Sequence, residues 1–296
     1  MSDRPTVALV GPGAIGTTLA ALLHAVHRTP MLCGRTAYPQ LRLRDENNAI
    51  TVPGPVNTDP DAVAGPVDVV LLAVKATQVV ESAPWLARLC AAHTLVCALQ
   101  NGVEQHAALT PWVNGAEVLP SVVWFPAQRE ADASVWLRAS PRLTLPNVPG
   151  AQRIVELLRD TGCEVALADD FVSVAWRKLL QNAAAGVMVL ANRRAGVFAR
   201  SDISALTLTY LNECLAVARA AGATLDDSVI HDILDGFHRA PADLSTSILA
   251  DRQANRPLEW DIRNGVIQRY GRQYGIPTPV SDVMVPLLAA ASEGPG

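Results

Sequence analysis

The stretch GPGAIG, from Gly11 to Gly16, decides the fold of this chain. It follows the β-branched run TVALV (Thr6–Val10) and opens an Ala- and Leu-rich stretch that reaches His27. A strand, a glycine turn and a helix in this order are the context in which a GxGxxG pattern binds a dinucleotide. The alternative is a glycine turn without a ligand. The strand, the spacing and the helix together favour dinucleotide binding.

Each glycine of this stretch has its own predicted role. Gly11 allows the tight turn, Gly13 lets the backbone approach a pyrophosphate, and Gly16 lets the helix pack closely on the strand. The helix that starts here offers free N–H groups and the positive end of its dipole to the phosphates. We therefore expect the cofactor to bind at Gly11, Gly13, Ala14, Ile15 and Gly16.

The second strand selects the dinucleotide. PMLCGR, from Pro30 to Arg35, has no acid at the position that would hold the ribose 2′-hydroxyl of NAD. Arg35 stands there instead, and its guanidinium could pair with a 2′-phosphate. An ordinary surface arginine is the alternative, because this chain has many. The arginine together with the missing acid favours NADP(H).

The rest of the N-terminal half alternates short β-branched runs with helical patterns. VDVVLLAV (Val67–Val74) has the length and composition of a strand buried on both faces of a parallel sheet. Further strand candidates are AITV, TLVCALQNG, VLPSVVWF, RLTLP and CEVALAD, and QRIVELLRDTG is typical of a helix. This alternation predicts an α/β fold with an N-terminal Rossmann-like, doubly wound, mostly parallel sheet.

The character of the sequence changes near Asp169. From there on, stretches such as DDFVSVAWRKLLQNAAAGVMVLANRR and SALTLTYLNECLAVARAAGA have helical spacing and little strand signal. We therefore predict two domains. Residues 1–169 form an NADP-binding Rossmann-like domain, and residues 170–296 form an all-α domain for substrate binding and catalysis.

Charge, hydropathy and cysteine usage argue against several classes of function. The net charge is −4 without a long basic run, so nucleic-acid binding has little electrostatic support. No apolar run has the length of a membrane-spanning helix, and MSDRPTVALVG lacks the features of a signal peptide. The five cysteines contain no CxxC pair, and the six histidines have no metal-ligand spacing. We expect a cytoplasmic protein with reduced thiols, no metal, and no nucleic-acid or membrane partner.

Lysine is rare in this chain. Of 24 basic residues only Lys75 and Lys178 are lysine, and the others are arginine. A lysine ammonium can give up its proton, whereas an arginine is effectively always charged. On a helix Lys178 and Asn182 share a face, so together they could protonate and orient a carbonyl group. A solvated lysine with an amide partner is the alternative.

Six motifs along the chain are similar to those of a known family. They are GPGAIG, CGR, VKATQ, LQNG, WRKLLQN and STSILADRQANRPLEWDIRNG. With these motifs the chain resembles the ketopantoate reductase family (2-dehydropantoate 2-reductases), whose members reduce ketopantoate to pantoate with NADPH. The resemblance covers nearly the whole chain, and both lysines lie inside its motifs.

The resemblance implies roles for four residues of the C-terminal domain. Lys178 matches the catalytic lysine that protonates the carbonyl oxygen, and Glu259 matches an acidic residue that helps to position substrate and lysine. Ser247 matches the serine that binds the substrate carboxylate, and we expect Asn182 to bind the substrate as well. Taken alone, Glu259 could be a first-turn helix glutamate and Ser247 a capping hydroxyl.

The resemblance also implies further contacts to the cofactor, NADP(H). Asn101 in LQNG matches an asparagine near the nicotinamide ribose, and an Asn-Gly turn is the alternative role. Lys75 and Gln78 in VKATQ match positions beside the cofactor at the C-terminal end of a strand. Ligands of α/β sheets bind at such strand ends.

Two positions depart from the family pattern. Gly186 stands four residues after Asn182, where the family usually has a second asparagine. Leu244 stands three residues before Ser247, where the family often has another. Both family asparagines help to hold the substrate, so we expect a less polar pocket here.

Three functions therefore remain open. The first is the NADPH-dependent reduction of a 2-oxo acid, ketopantoate. The second is the reduction of a different, less polar carbonyl compound by the same lysine mechanism, and the third is a non-catalytic NADP(H)-binding sensor. The presence of Lys178, Asn182, Ser247 and Glu259 together speaks against the third. The sequence does not fix the oligomeric state, and a homodimer is one alternative.

Overall fold

A computed structural model describes residues 4–294, so Met1–Asp3 and Pro295–Gly296 lie outside the described residues. The chain forms two compact units. The first runs to Gln100 and resumes from Glu104 to Phe171. The second takes Asn101–Val103 and continues from Val172.

The secondary structure follows in chain order. The strands are β1 (Val7–Val10), β2 (Met31–Cys33), β3 (Gln40–Arg44), β4 (Ala49–Pro53), β5 (Val69–Leu72), β6 (Leu95–Ala98), β7 (Glu117–Pro120), β8 (Val122–Val123), β9 (Ala127–Arg129), β10 (Val135–Leu137), β11 (Arg142–Pro146) and β12 (Glu164–Ala168). The α-helices are α1 (Ala14–Ala25), α2 (Val79–Leu89), α3 (Gln105–Leu109), α4 (Ala151–Leu157), α5 (Phe171–Ala191), α6 (Ser201–Ala220), α7 (Ser228–Arg239), α8 (Ser247–Gln253), α9 (Val266–Tyr274) and α10 (Pro279–Ser292).

A five-stranded parallel sheet forms the centre of the first unit. Its strand order is β2-β1-β5-β6-β7, and every neighbouring pair is parallel. All residues of β5 and β6 are buried, as expected for strands covered on both faces. The strand order changes direction between β1 and β5, which is where open α/β sheets bind ligands. The predicted Rossmann-like fold is confirmed.

The other strands form two smaller sheets, which the prediction of a single sheet missed. One has the order β4-β3-β10-β9 and the other β12-β11-β8. AITV, RLTLP and CEVALAD therefore lie outside the parallel sheet. The links explain this for β4 and β8, because β3 and β4 are joined by a short turn and β7 and β8 by the single residue Ser121. A parallel crossover needs a dozen or more residues.

The second unit is helical, and its described residues contain no strand. Its core forms around α5 and α6, with Met188, Phe198, Tyr210 and Leu211 fully buried. Trp176 is buried too, and its ring meets that of Tyr270 edge-on at 5.6 Å between centroids. The predicted all-α C-terminal domain is confirmed. None of the helices between residues 4 and 294 has the length and hydropathy to cross a membrane.

Candidate active site

The glycine stretch makes a sharp turn between β1 and α1. Gly11 has a φ of 92°, in the left-handed region that favours glycine, and its N–H donates to the Cys33 carbonyl at 2.9 Å. A Cβ at Gly16 would lie 2.3 Å from the Gly11 carbonyl oxygen, whereas a Cβ at Gly13 would meet nothing within 4 Å. The turn thus needs Gly11, the helix packing needs Gly16, and Gly13 leaves open space.

The open space at Gly13 lies beside the first turn of α1. The first backbone N–H groups of a helix have no hydrogen-bond partner inside that helix. In α1 these groups include the N–H groups of Ala14 and Ile15. Such groups and the helix dipole favour an anion. The geometry supports the predicted phosphate contacts at Gly13, Ala14 and Ile15, which stay predictions.

Arg129 fixes the carbonyl group of this loop, and sequence reasoning missed it. Its Nη2 donates to the Pro12 carbonyl oxygen at 2.5 Å, and its Nη1 donates to the Tyr38 hydroxyl at 2.8 Å. The Thr17 hydroxyl donates to the same carbonyl at 3.1 Å. Arg129 lies in β9, 117 residues from Pro12, and no local pattern marks so distant a contact.

The end of β2 lies against the glycine loop. A Cβ at Gly34 would be 2.8 Å from Cδ of Pro12, so the two backbones approach closely. The Arg35 side chain that follows is 77% exposed, and its Nη1 lies 3.7 Å from Oε2 of Glu81. Because so exposed an ion pair contributes little, the guanidinium could exchange it for a phosphate.

Lys75 and Gln78 lie just after β5. The Lys75 N–H donates to Oε1 of Gln78 at 3.2 Å, and the Gln78 N–H donates to the Lys75 carbonyl at 2.8 Å. These two bonds close the turn that leads into α2. A Cβ at Gly11 would lie 2.7 Å from Cγ1 of Val74, so this turn and the glycine loop are neighbours.

Asn101 belongs to the second unit, together with Gly102 and Val103. Its Nδ2 donates to Oε2 of Glu259 at 3.2 Å, and its Oδ1 accepts from Nδ2 of Asn182 at 3.2 Å. Asn101 therefore joins two residues that the resemblance assigns to the substrate. Its predicted contact to the nicotinamide ribose stays a prediction.

Helix α5 carries Lys178 and Asn182 one turn apart. Lys178 is half-buried, and Asn182 is buried. Leu179, Leu180 and Ala183 on the same helix belong to the apolar core of the unit. Packing against that core positions the helix and thus its two polar side chains.

A π-helical turn, Asp261–Gly265, follows Glu259 and carries Arg263. Nη2 of Arg263 donates to Oε2 of Glu259 at 3.1 Å and to Oγ of Ser247 at 3.0 Å. Ser247 is the first residue of α8 and is exposed. Sequence reasoning missed Arg263, although its spacing of four residues from Glu259 is a signal for a helical ion pair.

Five side chains are thus linked in one hydrogen-bonded series, which we call the polar series. In order they are Asn182, Asn101, Glu259, Arg263 and Ser247. The series brings together three of the four residues predicted to serve the substrate. Lys178 lies one helical turn before its first member.

The two departures from the family pattern have different surroundings. Gly186 is buried, and a Cβ there would lie 2.7 Å from Nδ2 of Asn264. Asn264 is fully buried and donates to the Ala183 carbonyl and the Tyr210 hydroxyl, both at 3.0 Å. Leu244, in contrast, is 43% exposed. Position 186 therefore has no room for a side chain unless Asn264 moves.

The chain is similar in sequence to known reductases. A family model described as "Ketopantoate reductase PanE/ApbA" matches residues 7–150, and its C-terminal counterpart matches residues 170–292. The 2-dehydropantoate 2-reductase of Mycobacterium tuberculosis is 53% identical over 291 residues, which cover 98% of this chain and 99% of that protein. The 2-dehydropantoate 2-reductase of Caulobacter vibrioides is 35% identical over 288 residues, with 97% and 99% covered.

The fold is also similar to that of solved structures. A dimeric ketopantoate reductase from Staphylococcus aureus superposes with a TM-score of 0.87 at 25% identity. The match covers 97% of this chain and 99% of that one.

Proposed function

The chain belongs to the ketopantoate reductase family, and we propose that it reduces 2-dehydropantoate (ketopantoate) to pantoate with NADPH. Two relatives, 53% and 35% identical over nearly their whole length, are named 2-dehydropantoate 2-reductases. The observation that carries the proposal is the polar series, because it joins Asn182, Glu259 and Ser247 in one arrangement.

The reaction needs one hydride and one proton to turn the 2-oxo group into a hydroxyl group. When bound, NADPH supplies the hydride. Lys178 donates the proton from its ammonium group to the carbonyl oxygen, which keeps negative charge from building up there. A positioned general acid contributes about 10²–10⁴-fold to a rate.

The polar series binds and orients the substrate. The exposed Ser247 hydroxyl donates to the substrate carboxylate, and the Asn182 amide holds the polar groups beside the carbonyl. Glu259 is 6% exposed and fixed by Asn101 and Arg263, so its carboxylate keeps one orientation. A carboxylate fixed in this way orients the ammonium of Lys178.

NADP(H) is the dinucleotide that the strand end favours. Arg35 is exposed next to the glycine loop, and CGRT offers no acid for a ribose 2′-hydroxyl.

The five buried, unpaired cysteines support a reducing compartment such as the cytoplasm. The dimeric relative from Staphylococcus aureus supports a homodimer.

Replacing Lys178 tests the mechanism. Lys178→Ala should lower kcat at least about 100-fold, because the general acid is gone. The dissociation constant for NADPH, measured by fluorescence titration, should stay within about twofold. Arg177→Ala is the matched control, since Arg177 is exposed on the same helix. Turnover by Lys178→Ala within threefold of the unmodified protein would remove Lys178 from the mechanism.

A less polar 2-oxo acid is the second candidate substrate. Leu244 favours it, because this exposed leucine stands three residues before Ser247 where the family often has an amide. The two candidates share the lysine mechanism and differ only in the substrate that is turned over fastest.

A further inference from the structure

Arg263 is a buried cation to which the resemblance assigns no role. Its side chain is 2% exposed, and the Glu259 side chain that it pairs with is 7% exposed. Arginine is almost never fully buried unless it is paired. Within the described residues, Nε of Arg263 has no hydrogen-bond partner. The two charges of the pair and the Nε donor of Arg263 are therefore all buried away from water.

Stability alone does not account for this pair. Removing two charges from water costs several kcal/mol per ion, and well-packed apolar side chains in their place are often as stable or more stable. Losing only one partner, in contrast, leaves an uncompensated buried charge. Arg263 thus offsets charge at Glu259, which belongs to the proposed substrate site.

Arg263 is the donor and Ser247 the acceptor in the hydrogen bond that joins them. Arginine has donors only, so Oγ of Ser247 accepts the bond from Nη2. A hydroxyl that accepts from one side turns its own hydrogen elsewhere. Since Ser247 is exposed, that hydrogen is available to an acceptor such as a carboxylate oxygen.

The charges explain why an anion could bind there at all. Oε2 of Glu259 and Oγ of Ser247 both contact the same nitrogen of Arg263, so the two oxygens are close neighbours. A substrate carboxylate on Ser247 would therefore lie near the carboxylate of Glu259. Like charges at such a distance repel, and an interposed cation offsets the repulsion.

We propose that Arg263 is a positioning residue that cancels the negative charge of Glu259 and turns the Ser247 hydroxyl toward the substrate, so that an anionic 2-oxo acid can bind. The inference rests on the proposed function and deepens it. It assigns to Arg263 the cationic environment of the substrate carboxylate.

The test measures ketopantoate binding to the NADP⁺-loaded protein by calorimetry. Arg263→Met should weaken binding at least tenfold, because the positive charge beside Glu259 and the donor to Ser247 are then both lost. Arg263→Lys keeps the positive charge and should stay within about threefold. NADPH binding should change by less than twofold in both variants and reports that they are folded.

A second substitution separates the charge from the packing. Arg263→Met combined with Glu259→Gln removes both charges and should recover binding to within about threefold of Glu259→Gln alone. Lost packing around the arginine side chain would not be repaired by removing the charge of Glu259. Unchanged binding by Arg263→Met, or a double variant more than tenfold weaker than Glu259→Gln alone, would overturn the inference.

The same assay distinguishes this inference from the proposed function. If the unmodified protein reduces ketopantoate and Arg263→Met binds it equally well, only the role of Arg263 falls. If the unmodified protein neither binds nor reduces any 2-oxo acid, the proposed function is wrong, and this inference, which rests on it, is wrong too.

Discussion

Gly186 lies on α5 beside the buried amide of Asn264. The Nδ2 atom of Asn264 lies 2.7 Å from the position of a Cβ at residue 186 and also holds two hydrogen bonds. Those bonds tie the π-helical turn to the Ala183 carbonyl and the Tyr210 hydroxyl. A side chain at residue 186 would have to displace an amide that is already fixed.

We therefore expect Gly186→Ala to destabilise the protein. Overpacking of a filled interior typically costs about 1–3 kcal/mol, and we expect a loss in that range from the free energy of unfolding. Gly236→Ala on α7 is the matched control, because a Cβ there meets nothing within 4 Å. It should be neutral or stabilise by about 0.5–1 kcal/mol. Urea denaturation of both variants measures the difference, and equal stability would contradict the account.

This glycine also shows the limit of sequence reasoning at the scale of a residue. The family pattern places at position 186 an asparagine that helps to hold the substrate. The structure shows Asn264 in that space, and a contact between α5 and a turn 78 residues later cannot be seen in either segment. For Gly11 and Gly16, in contrast, the local GxGxxG motif was enough to predict the tight contacts.

At the scale of elements, Asp68 joins the two central strands at their start. Its Oδ2 accepts from the Thr6 N–H at 2.8 Å and from the Thr6 hydroxyl at 2.7 Å. The Asp68 N–H in turn donates to that hydroxyl oxygen at 2.9 Å. The hydroxyl and backbone bonds from Thr6 hold the pKa of Asp68 below its usual value of 3.8.

This lowered pKa predicts a pH-dependent contribution to stability. A carboxylate whose pKa is lowered by folding stabilises the protein fully above the unfolded pKa, near pH 4, and the effect is lost as the pH falls through the lowered value. Because water screens this largely exposed carboxylate, Asp68→Asn should lower the free energy of unfolding by only about 0.5–1 kcal/mol at pH 7 and by less near pH 3. Urea denaturation across this range measures it, with the exposed Asp232→Asn as control. A difference that grows in acid would contradict the assignment.

The strands themselves were predictable to different degrees. VDVVLLAV marked β5 because burial on both faces leaves a continuous apolar run. QLRLR, which forms β3, has alternating exposed and buried residues and was overlooked, and β9 and β10 have three residues each. Partners of such short strands depend on distant pairing, as for Val135 beside Leu43, which no local pattern encodes.

At the scale of the molecule, the sequence predicted a Rossmann-like part followed by a helical part because the periodicity of apolar residues changes near Asp169. It did not predict that Asn101–Val103 would belong to the helical unit. These residues follow a buried strand and look like a simple Asn-Gly turn. Only the hydrogen bonds of Asn101 to Asn182 and Glu259 show that this turn is also part of the polar series.

The central claim is that this chain reduces ketopantoate with NADPH. The most direct test is the steady-state consumption of NADPH by the purified protein with ketopantoate, beside a panel of less polar 2-oxo acids and with NADH for comparison. We predict saturable turnover with the highest kcat/KM for ketopantoate and NADPH. Turnover only with another oxo acid, or none although NADPH binds, would contradict the claim.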